Sequence, residues 1–120
     1  MSGTRPNKLF PETVPQQESV DGNYSSTELI LKDCLLGDTL TEFEIKINTV
    51  FNGTSPVASI GIDSNHEKYL TEPQCDLTQT GTYIIKDTII LIANETIKIF
   101  IDGDGATEGS LTGTVRFLDT

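Results

Sequence analysis

The sequence is poor in the residues that usually carry chemistry. It has no Trp and a single histidine, His66, so any Ser-His-Asp catalysis would run through that one side chain. No Gly-x-Ser-x-Gly elbow accompanies it. A zinc site needs three or four ligands, and His66 has only Asp63 and Glu67 beside it. Cys34 and Cys75 are not spaced as a metal pair, so neither metal nor cofactor is expected. Paired carboxylates can support glycoside hydrolysis, but no indole is present to form a sugar platform. Basic residues are scarce too: 8 Lys and Arg stand against 18 Asp and Glu, for a net charge of -10 and a pI near 4.3. Phosphate recognition needs clustered cations, and these are scattered, which argues against nucleic acid and against an anionic membrane surface. No apolar run approaches the ~20 residues that span a bilayer. The opening MSGTRPNKLF has no apolar h-region, so no secretory signal is expected. The two cysteines are too few for a disulfide framework. They read as two partly buried thiols in a chain made in a reducing compartment, with a single bridge left open.

What is present is a β-pattern behind a proline-rich start. Residues 1–25 hold Pro6, Pro11 and Pro15, and their few apolar side chains show no period. Proline lacks a backbone donor and restricts the residue before it, which predicts an extended N-terminal arm over 1–25 and one domain over 26–120. Pure linkers rarely carry adjacent large apolar residues, so Leu9, Phe10, Pro11 and Val14 are candidate partner-binding anchors. Deleting residues 1–23 is then expected to leave the core folded.

Residues 27–36, TELILKDCLL, fit a half-buried strand or one helical turn. Phe43, Ile45 and Ile47 alternate with charged neighbours, predicting a strand with one wet face. Asn52-Gly53 and Ser55-Pro56 read as a turn returning through residues 57–62 as a hairpin. Residues 63–70 read as a polar loop, with Tyr69 and Leu70 covering one end of the core. Residues 82–86 and 88–93 make two isoleucine-rich runs about Asp87. Last, Ile97, Ile99 and Ile101 share one face, and Leu111, Gly113, Val115 and Phe117 another, joined by GDGATEG as a terminal hairpin. That turn superficially resembles a calcium loop. Ala106 stands where a third polar ligand belongs, however, and Glu108 comes too early. A phosphate loop is excluded by the missing helix and Lys-Ser/Thr pair. Short strands at even spacing with Gly and Asn turns predict an all-β, antiparallel β-sandwich or jelly-roll-like barrel of about eight strands.

The order of these pieces resembles a small β-sandwich domain of tailed-phage virion proteins, of the capsid decoration (cement) or head-fibre type. The resemblance is carried by Gly37-Asp38-Thr39-Leu40, the strand Phe43 to Ile47, Val50-Phe51-Asn52-Gly53, Ile60-Gly61-Ile62 and residues 63–70. It continues through Asp76-Leu77, Gly81-Thr82-Tyr83 and residues 103–110 before the last strand. It covers residues 37–120 and leaves out the arm. Related sequences often end on an aromatic such as Tyr, whereas this one ends Phe117-Leu118-Asp119-Thr120. The resemblance implies a non-enzymatic protein made in the host cytoplasm, located on the capsid surface of the virion and bound to the major capsid protein. It implies self-association too, and a homotrimer suits the threefold positions of a shell. The alternative is a tail or head-fibre module that binds a carbohydrate receptor through the loops near residues 63–69 and 103–109.

Overall fold

The computed structural model describes residues 14–119. They form eight strands: β1 (Val14–Asn23), β2 (Glu28–Cys34), β3 (Thr39–Thr49), β4 (Val57–Ile62), β5 (Asn65–Leu70), β6 (Gly81–Ile90), β7 (Glu95–Asp102) and β8 (Ser110–Asp119). One 3-10 turn, Glu72–Gln74, follows β5. The strands make two four-stranded antiparallel sheets, in the orders β1-β8-β3-β6 and β2-β7-β4-β5. Consecutive strands therefore fall in opposite sheets everywhere except at β4–β5. This is the all-β, antiparallel β-sandwich that the strand pattern predicts.

Two expected hairpins are corrected by this order. β3 and β4 do not pair, and neither do β7 and β8. β3 lies between β8 and β6, while β7 lies between β2 and β4. The cause is loop length. A two-residue turn holds strands at the ~4.8 Å spacing of one sheet, whereas the longer loops at residues 50–56 and 103–109 cross the ~10 Å gap between stacked sheets. The tight turn is Asp63-Ser64 instead, where Ile62 pairs with Asn65. Residues 65–70, expected as loop, are thus strand β5. The two runs about Asp87 are a single strand, β6, whose register jumps from Lys86 to Ile89 against Glu42 and Leu40.

The sheet also starts inside the residues assigned to the arm, because β1 pairs with β8 from Val14↔Asp119 to Asn23↔Ser110. Deleting residues 1–23 would strip a whole edge strand. Little apolar announces β1, whose Val20 packs against the core, because an edge strand is held largely by its ladder. Glu18 reaches Lys32 of β2 at 3.1 Å, and the Lys32 ammonium lies 4.1 Å from the centroid of the Phe117 ring. Lys32 stands opposite Ile97 in the ladder, after a bulge between Ile30 and Lys32. Its side chain is only 13 % exposed at the rim, and the ammonium is compensated there by the Glu18 carboxylate and the face of the Phe117 ring.

The core is the alternation made solid. Phe43, Ile45, Ile60, Ile97, Ile99, Leu111 and Val115 are fully buried. Leu40 joins them only because a bulge between Leu40 and Glu42 shifts the phase of β3 by one residue. Phe43 stacks on Tyr69 of the facing sheet, with ring centroids 4.7 Å apart. Tyr69 and Leu70 are both buried, as expected of residues that close the core. Phe43→Ala is expected to cost about 3–5 kcal/mol of folding stability, read as a lowered midpoint in chemical denaturation with unchanged native strand content.

Candidate functional site

The GDGATEG loop is a structural clamp between β7 and β8. Asp104 has a φ of 47°, and its Oδ2 accepts a hydrogen bond from the Ser55 N–H at 2.8 Å. Asp102 Oδ1 accepts from the Asp104 N–H at 2.9 Å. Asn52 Oδ1 accepts from the Thr107 and Glu108 N–H groups at 2.7 and 3.2 Å, while Asn52 Nδ2 donates to Thr107 Oγ1 at 2.9 Å. Asp102, Asp104 and Asn52 thus spend oxygens on backbone donors. Gly53 is required by contact: a Cβ there would sit 1.9 Å from the Gly103 carbonyl oxygen. Among the described residues no group of three or more His, Cys, Asp or Glu is placed to hold a metal.

His66 lies flat on Phe100, with ring centroids 3.7 Å apart. The pair sits on the outer face of the β2-β7-β4-β5 sheet, in an open depression of about 260 Å³ whose rim carries Glu28, Glu72 and Asp102. His66 therefore does not join Asp63 or the cysteines. Asp63 turns to Lys98, at 3.0 Å, and Lys98 also holds Glu28 at 2.7 Å. Across the other sheet Arg116 donates to Glu42 and, at 3.1 Å, to Glu44. Lys32, Lys68, Lys98 and Arg116 are each bound to carboxylates, which leaves little positive field for a phosphate backbone.

Cys34 and Cys75 are free and buried. Burial pushes each thiol from an ordinary 9.0 up to about 11. The Lys32 charge opposes the rise at Cys34, and the Cys75 thiol donates to the Ala58 carbonyl at 3.4 Å. Tyr69 is raised as well, first by burial and then by the Glu95 carboxylate to which its hydroxyl donates.

The surface that sequence reasoning missed is apolar. Leu35 and Leu36 are each 64 % exposed, Ile90 is 65 % exposed and Ile92 is 90 % exposed. The loops that carry them are bonded together: the Gly37 N–H to the Leu91 carbonyl at 2.8 Å, Leu91 N–H to Asp38 carbonyl at 2.9 Å, and Leu36 N–H to Asn94 Oδ1 at 2.8 Å. In sequence Leu35 and Leu36 look like core, and only the Gly37-Asp38 turn directly after them hints that they leave the sheet. Of the predicted anchors, Leu9, Phe10 and Pro11 lie outside the described residues, and Val14 opens β1.

No family model and no curated protein matches the chain in sequence. Its fold is shared with chains of two phage capsids. One comes from the acidic stable capsid structure of Helicobacter pylori bacteriophage KHP30, at TM-score 0.71 and 10 % identity, covering 88 % of each chain. The other is from the capsid asymmetric unit of cyanophage Pam1, at TM-score 0.66 and 9 % identity, covering 94 % of this chain and 90 % of that one. The likeness in fold is the one that the resemblance to small phage virion sandwiches implies.

The raised thiols set a pH dependence. The folded state holds its protons where the unfolded chain releases them, so stability is full below pH 9 and lost between 9 and about 11. Melting temperature is expected to fall across that window. Cys75→Ala should flatten part of the slope, and Tyr69→Phe should flatten the part above the ordinary tyrosine range.

Proposed function

We propose that this chain is a non-enzymatic virion structural protein that decorates the outside of a phage head and stabilises it. The observation that carries the reading is the shared fold, which spans nearly the whole chain and nearly the whole of both capsid chains. Its chemistry is consistent with that role. The Asp102 and Asp104 carboxylates are committed to loop geometry, and four exposed apolar side chains, Leu35, Leu36, Ile90 and Ile92, gather at one end. A rigid two-sheet body presents that end to neighbours, and the net negative charge keeps free subunits apart until a complementary surface is met. The partners proposed are the major capsid protein and other copies of the chain, as a homotrimer at a threefold position. Each contact is weak on its own, and avidity multiplies them.

A second reading has one specific observation in its favour. The His66–Phe100 stack with Glu28, Glu72 and Asp102 around it is an aromatic floor with acceptor groups at its edge, suited to a sugar ring. In a tail or head-fibre module this depression would hold a receptor carbohydrate.

Two experiments separate these readings. Decoration requires the protein to be present in stoichiometric amount on purified particles, found by mass spectrometry and imaging on the outside of the head; its absence from the head would overturn the proposal. Glycan-array binding that Phe100→Ala abolishes would favour the second reading. Within the decoration reading, a chain starting at Val14 keeps all eight strands and is expected to bind shells at least about tenfold more weakly, a difference of ~1.4 kcal/mol. Unchanged binding would remove the arm from the contact.

A further inference from the structure

One apolar surface is left over by the fold. Single exposed aliphatics such as Ile30 and Ile84 are ordinary on any protein. Leu35, Leu36, Ile90 and Ile92 are different, because backbone hydrogen bonds between their two loops hold all four at one end of the sandwich.

Three features indicate what covers them. The first is position. Val14 enters the sheet opposite Asp119, and Thr39, next after the Leu35-Leu36 loop, stands opposite both Leu118 and Ile90. Residues 1–13 therefore join the domain at the end that carries the patch. The second is composition, since those residues include the adjacent pair Leu9-Phe10, four to five positions before Val14. The third is charge. Arg5 and Lys8 against Glu12 leave residues 1–13 net positive, whereas residues 14–120 hold 6 basic and 17 acidic side chains. Asp33, Asp38 and Asp63 lie in or beside the loops at the patch end.

Geometry favours a neighbour over the chain's own patch. Val14 precedes Pro15 and Phe10 precedes Pro11, and a residue before proline is biased to extended backbone. Four to five residues kept extended in line with β1 would place Phe10 and Leu9 roughly 14–17 Å past the end of their own sheet, at ~3.4 Å per residue. Ile90 lies sideways instead, three strands across the sheet on β6, or about 14 Å at ~4.8 Å per strand. Reaching it within one chain demands a right-angle turn at Val14.

We propose that the Leu9-Phe10-Pro11 segment of one copy docks on the Leu35, Leu36, Ile90 and Ile92 patch of a second copy. Arg5 and Lys8 then face the acidic rim, and the exchange closes into a ring. This docking rests on the self-association in the functional reading above and is independent of any contact with a shell.

The test uses the full chain in solution, without shells. Light scattering after size exclusion is expected to find oligomers for the native chain and monomers for Phe10→Glu and for Ile92→Glu. Both variants should keep the native circular dichroism, since Ile92 is 90 % exposed and Phe10 precedes the sheet. Mixing the two variants is the decisive step. The intact arm of the Ile92→Glu chain meets the intact patch of the Phe10→Glu chain, so a one-to-one dimer that grows no larger is expected. A native chain that is monomeric at every concentration removes self-association itself. An oligomer that survives Ile92→Glu keeps self-association and overturns this docking. Variants that stay monomeric when mixed place the contact within one chain and overturn the exchange.

Discussion

The sandwich is set by how closely its two sheets approach at one point, Gly113 facing Ile99. A Cβ on Gly113 would lie 1.9 Å from Ile99 Cδ1, so the isoleucine occupies the space a side chain would fill. Gly113 pairs with Ile45 and Val20 in one sheet, and Ile99 pairs with Ile60 and Leu29 in the other. The contact is therefore the centre of both layers. Interiors pack at near-crystalline density, and the surrounding isoleucines can interdigitate only at the spacing this glycine permits. A larger residue there would push the sheets apart along their whole width.

From that spacing the connectivity gains its consequence. Because all successive strands but β4 and β5 belong to opposite sheets, each layer is assembled from strands distant in the chain. The loops are bridges between layers, and their side chains are consumed in holding the bridge. Asn52 on one crossing ties down Thr107 and Glu108 on another. This is why the segment with the most suggestive carboxylates offers no ligand cage. Asp102 Oδ1 and Asp104 Oδ2 already have donors, and the closure of the loop after β7 depends on them.

The sequence showed the layers and hid the links between them. Ile97, Ile99 and Ile101, or Phe43, Ile45 and Ile47, declare a buried face because each strand is half in the core, and period 2 records that directly. Which strand lies beside which is a long-range fact that alternation does not encode. Hence the pairings β3–β4 and β7–β8 were expected where β3–β8 and β2–β7 occur. Strand β1 was illegible for the opposite reason. Gln16, Gln17, Glu18 and Ser19 are exposed and held to β8 mainly by backbone ladder bonds, with one side-chain bond between Ser19 and Thr114, and ladder bonds leave no mark in residue type. Strand β5 was hidden likewise by the polar residues Asn65 to Lys68. The apolar patch was unreadable because TELILKDCLL holds buried Leu31 and Cys34 beside exposed Ile30, Leu35 and Leu36. The bulge after Ile30 and the turn at Gly37 separate the two sets, and neither is written in hydropathy.

The two ends of the molecule are consequently unlike. One end is polar and internally satisfied, closed by the bonds among residues 52–55 and 102–108. The other receives the N-terminal segment and carries the four exposed aliphatics. A protein with 18 acids and 8 bases repels its own kind at long range, yet screening confines that repulsion to about 8–10 Å in physiological salt. Association must then be won by short-range apolar contact at a place where the charge is locally relieved. Arg5 and Lys8 beside Leu9-Phe10 supply both terms in one segment. In the proposed docking, the same acidity that disfavours clustering through the broad sheet faces makes the arm and the patch the surfaces through which copies meet.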